Sequence, residues 1–524
     1  MSQDFASFLR ESLGAGSPLI YCESSEDERV RDEAFDLVDS LPDVTYFSWT
    51  CTTGLVKFEG GRGSQVFSAQ DVPTFEQMLV RLREPANRRQ FDCNLLLVAR
   101  DAVGAGQGHE GSPDATLRFI RLLKDLHETW VPGPGNALRR CLLMTGFGWS
   151  PPAGLGGYVQ STVLQPPNQQ TLIGALQDEP GLEPALRRSG MDTGSFAGRV
   201  AGLPLLAVRD IVRRLELPPS FGQQSEDPRV MIDRIKKEEI RKTGVLEILS
   251  TDEPLDLGGF GAFQRWFDER RPFFETTERP ELRPRGVLFL GFPGCGKSYT
   301  ARWIAQRLGM PLIGLNLGQV QERWVGASEA NFRMALATLE AAAPVVVLMD
   351  EVEKDIAGGQ GGDSSGVMTR LVGQLLRWLA DRKAPVFVVA TCNKADAIPP
   401  ELTRSGRFDA NYIVSLPTEG ERGEIVDALA KKLKLEILAE VRALIVRETH
   451  EFTGAELHQL LVEAAYKVGV RARTLTPDSI LAAKPCVVPL KQREEGRNLW
   501  AMYEEKMKSG GYRLVSDTAE ETAR

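Results

Sequence analysis

Apolar and polar positions fall into two alternating series along the chain, joined by a helical stretch. In the first series, short apolar runs at 19–22, 44–49, 95–99, 141–145 and 162–164 predict buried strands. Helical spacing at 29–41, 75–82 and 115–130 predicts amphipathic helices between several of them. That alternation implies a parallel sheet flanked by helices over residues 1–167. Residues 168–250 read as a helical connector: 196–215 carries apolar residues at helical spacing, and 230–249 is charged and amphipathic. Pro218-Pro219 and the stretch 222–228 mark a hinge between modules. The second series, 251–416, has apolar runs at 286–290, 344–349 and 386–391 and predicts a larger α/β unit. Helical patterns at 419–435, 437–448, 453–468 and 494–507 predict a lid and a closing helix over 417–510. The polar end, 511–524, reads as a flexible tail.

The turns that follow the leading strand of each series differ in chemistry. After 286–290 comes Gly291-Phe292-Pro293-Gly294-Cys295-Gly296-Lys297-Ser298, and a helical pattern starts at Tyr299. Strand, then G-x-x-x-x-G-K-S, then helix is the context of a phosphate-binding loop. Its glycines let consecutive N–H groups curl around an anion at the positive end of the helix. Residues Pro293 to Tyr299 are therefore the candidate ATP-binding set, with Lys297 for the β- and γ-phosphates and the Ser298 hydroxyl for Mg²⁺. The first series instead offers Glu23-Ser24-Ser25-Glu26-Asp27-Glu28, with no glycine, no lysine and acids that repel a triphosphate. It is either a P-loop-like domain without a working nucleotide site or an unrelated α/β adaptor. The Gly104–Gly111 run reads as a solvent loop, with His109 exposed in it.

Further chemistry sits at the ends of the later strands. The run 344–349 ends in Asp350-Glu351, where Asp350 is placed to hold Mg²⁺ and Glu351 to deprotonate the attacking water. Asn393, after the next strand, is a neutral amide suited to positioning that water. Arg404 and Arg407 are candidates to neutralise transition-state charge on a neighbouring subunit's ATP.

This ordered set resembles the AAA clade of the AAA+ ATPases over residues 255–468. The resemblance implies that Leu257 and Gly258 lie near the adenine, that Asn393 is the first sensor, and that Arg404 and Arg407 are arginine fingers. Phe452-Thr453-Gly454-Ala455-Glu456-Leu457 resembles the lid motif, which implies that Gly454 and Ala455 pack by the ribose and adenine. His450 matches the position of a ribose-contacting histidine. In threading members of the clade an aromatic-apolar-Gly loop lines the pore of a hexamer. Here that loop is Trp324-Val325-Gly326, and Gly358–Asp363 would be a second pore loop. Within the clade, Asp350-Glu351-Val352-Glu353-Lys354, Met368-Thr369-Arg370, Trp378 and Val488-Pro489-Leu490 are similar to the ycf-type proteins of cyanobacteria and algal plastids.

Composition narrows the partners. A net charge of −8 argues against coating nucleic acid, and the basic residues at 234–242 are interleaved with acids, as on a solvated face. No apolar run is long enough to span a membrane, and the first residues lack a secretory leader's layout. Seven scattered cysteines without a C-x-x-C pair suit a reducing cytoplasm, and four histidines without H-E-x-x-H exclude a zinc protease of that type. The expectation is a Mg²⁺-dependent ATP hydrolase that remodels a macromolecule, protein before nucleic acid. It would act as a homo-oligomeric, hexameric ring, with the N-terminal domain recruiting the partner. The alternatives are a nucleotide-gated scaffold or switch, and a nucleic-acid-remodelling ATPase.

Overall fold

A computed structural model describes residues 5–24, 26–41, 43–104, 113–133, 137–149, 151–176, 182–189, 191–216, 228–251, 255–275, 279–318, 328–357, 365–394, 396, 398, 400–404, 406–470, 473–509 and 512–516. They form two units, residues 1–233 with 323–341, and residues 234–322 with 342–524. The pore-loop candidates Trp324, Val325 and 358–363, and the loop 105–111 with His109, lie outside the described residues.

In the first unit, β1 (Leu19–Glu23), β2 (Thr45–Thr50), β3 (Gly54–Glu59), β4 (Arg62–Phe67), β5 (Leu95–Ala99), β6 (Arg140–Gly146) and β7 (Gln160–Val163) make one sheet in the order β4-β3-β2-β5-β6-β1-β7. β1 and β5 are buried at every residue, which is why they read as unbroken apolar runs. Successive side chains of β1 serve opposite cores. Ile20 and Cys22 pack with Leu9 and Val30 of the helices Phe5–Ala15 and Asp27–Asp39. Leu19 and Tyr21 pack with Met78 and Leu123 of the helices Phe75–Arg83 and Pro113–Trp130. The antiparallel β2-β3-β4 meander was not expected from the sequence. The helix Ser328–Ala341 also belongs to this unit, whereas its place in the chain assigned it to 251–416. Within the unit its Arg333 meets Glu23 at 2.8 Å.

The second unit holds β8 (Leu246–Leu249), β9 (Gly286–Gly291), β10 (Leu312–Leu315), β11 (Val345–Met349), β12 (Val386–Cys392), β13 (Ala410–Val414) and β14 (Arg513–Leu514), in the order β14-β13-β9-β12-β11-β10-β8. Two expectations are corrected here. The helical reading of 230–249 holds only for Pro228–Lys242. Gly244, at φ +77°, turns the chain, and β8 then pairs antiparallel with β10. The tail is not simply flexible either. Arg513 and Leu514 extend the sheet beside β13, Val515 is buried, and its carbonyl accepts the N–H groups of Ala262 (3.0 Å) and Phe263 (3.3 Å). Those donors open the helix Gly261–Glu275 and have no partner within it. Helices Glu419–Leu433, Ala439–Glu448, Gly454–Val468 and Pro477–Ala483 share a separate core around Val426, Ile445, Leu460 and Ile480. Among the described residues no helix is long and apolar enough to cross a membrane.

The five mutually parallel strands of the first sheet run β7-β1-β6-β5-β2; in the second, leaving aside the two-residue edge strand β14, which is also parallel to β13, they run β13-β9-β12-β11-β10. Numbered by their order in the chain, both are 5-1-4-3-2. The first unit is thus a topological repeat of the second, which decides the open reading in favour of a P-loop-like domain.

Candidate functional site

β9 delivers the chain into the glycine loop at the edge of a 400 Å³ cavity. Pro293, Gly294, Cys295, Gly296, Lys297, Ser298 and Tyr299 all line it. Gly294 has φ +79°, and a Cβ there would sit 2.9 Å from the Cβ of Ala455, so only glycine fits. Its carbonyl accepts the Ala455 N–H at 3.0 Å, which ties the loop to the start of the lid helix. Lys297 is buried, and its Nζ donates to the carbonyls of Gly291 and Phe292, both at 2.8 Å. Burial pulls its pKa below the usual lysine range, against the raising influence of Cys295, Cys392, Glu353 and Asp350.

The acids past β11 are cross-linked to this loop. Asp350 Oδ1 accepts from Ser298 Oγ and from Thr391 Oγ1, each at 2.5 Å. Thr391, fully buried in β12, also accepts the Glu351 N–H at 2.9 Å. Glu351 itself adopts φ +50°, which swings its side chain out of the strand direction. Its Oε1 accepts from Asn393 Nδ2 at 2.7 Å, and its Oε2 pairs with Lys354. Ser298 and Asp350 form an oxygen-only donor pair beside the phosphate loop, which suits a hard divalent cation completed by water and phosphate. Among the described residues no cluster of three or more His, Cys, Asp or Glu could hold a metal.

The rest of the cavity lining is mostly apolar. Leu257, Gly258, Phe260, Ile425, Ala428, Leu429, Gly454 and Ala455 contribute to it, with Asp256, Lys432 and His458 as its polar members. Of these, the sequence reading found Leu257, Gly258, Gly454 and Ala455. It missed Ile425, Ala428 and Leu429, whose i, i+3, i+4 spacing puts them on one helix face. The two histidines of this region are placed differently. His450 is exposed and outside the cavity lining, whereas His458, one turn into the lid helix, lines it. Neither Arg404 nor Arg407 lines the cavity of its own chain. Arg404 is exposed and pairs with Glu401 at 3.8 Å, and Arg407 donates to the Glu401 carbonyl.

The first unit keeps the same backbone device with its chemistry inverted. Asp101, two residues past β5, has φ +47° and donates its N–H to Thr145 Oγ1 at 2.9 Å. Glu351 and Thr391 stand in that relation past β11. The place of Asp350 is taken by Arg100, which pairs with Asp27 at 3.3 Å at the start of the helix after β1. Where the glycine loop would be, Glu26 accepts the Leu205 N–H at 2.5 Å and pairs with Arg29 at 3.3 Å. Burial pushes the Glu26 carboxyl above its ordinary pKa, against the lowering influence of Arg29. Acids thus occupy the ground a phosphate would need.

Residues 287–416 match the AAA family, "ATPase family associated with various cellular activities", and residues 5–155 match the N-terminal domain of SpoVK-like AAA ATPases. The chain is similar to the uncharacterized AAA domain-containing protein ycf46 of Trieres chinensis, with 32% identity over 54% of this chain and 57% of that protein. It is similar to ycf46 of Guillardia theta, with 30% identity over 60% and 62% of the two chains. It is also similar to the peroxisomal ATPase PEX1 of Saccharomyces cerevisiae, with 35% identity over 38% of this chain and 20% of that one. Each match spans less than two thirds of the relative's length.

Proposed function

We propose that this chain, which carries an AAA ATPase domain at residues 287–416 and a SpoVK-like AAA N-terminal domain at 5–155, hydrolyses Mg²⁺-ATP to remodel a protein substrate as a homo-oligomeric ring, hexameric by resemblance. The observation that carries this reading is the convergence of Lys297, Ser298, Asp350, Glu351 and Asn393 on one cavity. Ser298 and Asp350 would hold Mg²⁺, which would supply charge neutralisation on the transferring phosphoryl group. Lys297 exchanges its two backbone carbonyls for phosphate oxygens. Glu351 takes the proton of the attacking water, and Asn393 keeps that carboxylate aimed. Leu257, Ile425, Leu429 and Ala455 sandwich the base.

Arg404 and Arg407 act on the neighbour's γ-phosphate. Their position outside their own cavity supports that assignment. A catalytic group useful only in trans implies a head-to-tail interface, which rotation closes into a ring. Trp324 and Val325 are the residues assigned to grip the substrate, and the N-terminal unit recruits it. The seven cysteines are free thiols, in keeping with work in the cytoplasm. The test is Glu351→Gln in the full chain: ATP is retained, phosphate release stops, and pull-down in ATP enriches a bound protein. Wild-type turnover by Glu351→Gln contradicts the mechanism.

A further inference from the structure

The C-terminal helix Glu494–Ser509 carries acids in its first turn and Lys506 and Lys508 in its last, the distribution that favours a helix dipole. Trp500 and Tyr503, three apart, share one of its faces. The Trp500 ring meets Phe292 of the glycine loop edge-on, with centroids 6.3 Å apart. Tyr503 is 2% exposed, and its hydroxyl lies 2.6 Å from the Asn393 carbonyl and 3.1 Å from the Gly291 carbonyl. A phenol has one proton to give. Lys297 already serves the Gly291 carbonyl at 2.8 Å, so the shorter contact, to Asn393, is the hydrogen bond.

Asn393 needs that bond because of where it stands. The ladder between β12 and β9 ends at Cys392, so no sheet pairing fixes the next peptide. Its N–H is held by Glu353 Oε1 at 2.9 Å and its carbonyl by Tyr503. With the backbone gripped on both sides, the side chain is left to point Nδ2 at Glu351.

We propose that Tyr503 is a positioning residue for ATP hydrolysis: it fixes the Asn393 peptide, and through it the orientation of Glu351. The C-terminal helix thereby becomes a working part of the catalytic site. This rests on the ATPase reading above, and the wild-type chain tests that reading separately.

The experiment is a double-mutant cycle in the full-length chain, measuring steady-state phosphate release and binding of a fluorescent ATP analogue. Tyr503→Phe keeps the ring and removes only the hydroxyl. The expected result is a fall in kcat of about tenfold, the scale of one aligned hydrogen bond, with KM for ATP and analogue affinity within about twofold. In an Asn393→Ala background, where there is no side chain left to aim, the same substitution costs less than about twofold. An unchanged kcat in Tyr503→Phe overturns the proposal. So does a full tenfold loss repeated in the Asn393→Ala background, which is what general loosening of the helix would give. A wild-type chain without turnover overturns both this proposal and the reading beneath it.

Discussion

Asn393 Nδ2 donates to Glu351 Oε1 at 2.7 Å, joining the residue after one central strand to the acid after its neighbour. The pair matters because Glu351 stands at φ +50° outside the sheet, and a carboxylate there has several rotamers to choose from. A general base contributes only while it is aimed at the water. Asn393→Ala should therefore lower kcat by roughly 10²-fold while nucleotide affinity stays within about threefold. Phosphate-release kinetics alongside equilibrium binding separate the two effects. Equal losses in both would show that Asn393 holds nucleotide rather than the base.

Thr391 is the buried joint between the two acids. It donates to Asp350 and accepts from the Glu351 backbone, so Thr391→Val keeps the shape and orphans a part-buried N–H. That should cost about 1–3 kcal/mol in stability. It should also lower kcat about tenfold and raise the Mg²⁺ concentration needed for half-maximal rate, since Asp350 loses one of its two tethers. Metal titrations of the rate provide the check, and an unchanged Mg²⁺ requirement would confine Thr391 to a structural role.

One nucleotide should bind per chain. The first unit repeats the strand order of the second, but Arg100, Asp27 and Glu26 fill its site with internal ion pairs. Calorimetry should give a stoichiometry near one, and Lys297→Ala should weaken binding at that site without uncovering another. A second nucleotide per chain would overturn the assignment of Glu23 to Glu28 as a lost phosphate loop.

Arg333 and Glu23 make an ion pair within the first unit. Its contacts are 2.8, 3.0 and 3.1 Å, and the Glu23 side chain is 4% exposed. Arg333→Met would strand a buried charge. Because the guanidinium side chain is 39% exposed and water can partly replace it, the cost should be about 1–3 kcal/mol rather than that of a fully buried pair. Chemical unfolding near pH 7 measures it, and Glu23→Gln on top of Arg333→Met should be less than additive. Wild-type stability in Arg333→Met would mean that solvent alone satisfies Glu23.

What was legible in the sequence follows from what the chemistry demands. A phosphate cradle needs glycines, lysine and a hydroxyl at fixed backbone positions, so Gly294 to Ser298 announced themselves, as did Asp350, Glu351 and Asn393. The apolar part of the cavity lining accepts many side chains. Ile425, Ala428, Leu429 and His458 therefore carried no signature beyond helical spacing. The β3–β4 hairpin had a local signal, Gly60-Gly61 at φ +57° and +77°, but its half-exposed strands lack an apolar run. β14 and Tyr503 depend on contacts with residues more than a hundred positions earlier, which no local pattern encodes. Strand order is likewise a long-range property, so the repeat relating the two units became visible only in the sheets.

Mixing two inactive chains is the most direct trial of catalysis shared between neighbours. One carries Glu351→Gln with intact arginines, and the other carries Arg404→Ala and Arg407→Ala with an intact Glu351. Where the first stands beside the second in a head-to-tail ring, one complete site forms. An equal mixture should therefore recover about a quarter of wild-type turnover, the share of interfaces that random assembly makes competent. A mixture as inactive as its components, under conditions where wild-type chains assemble and hydrolyse ATP, would contradict donation of Arg404 and Arg407 in trans.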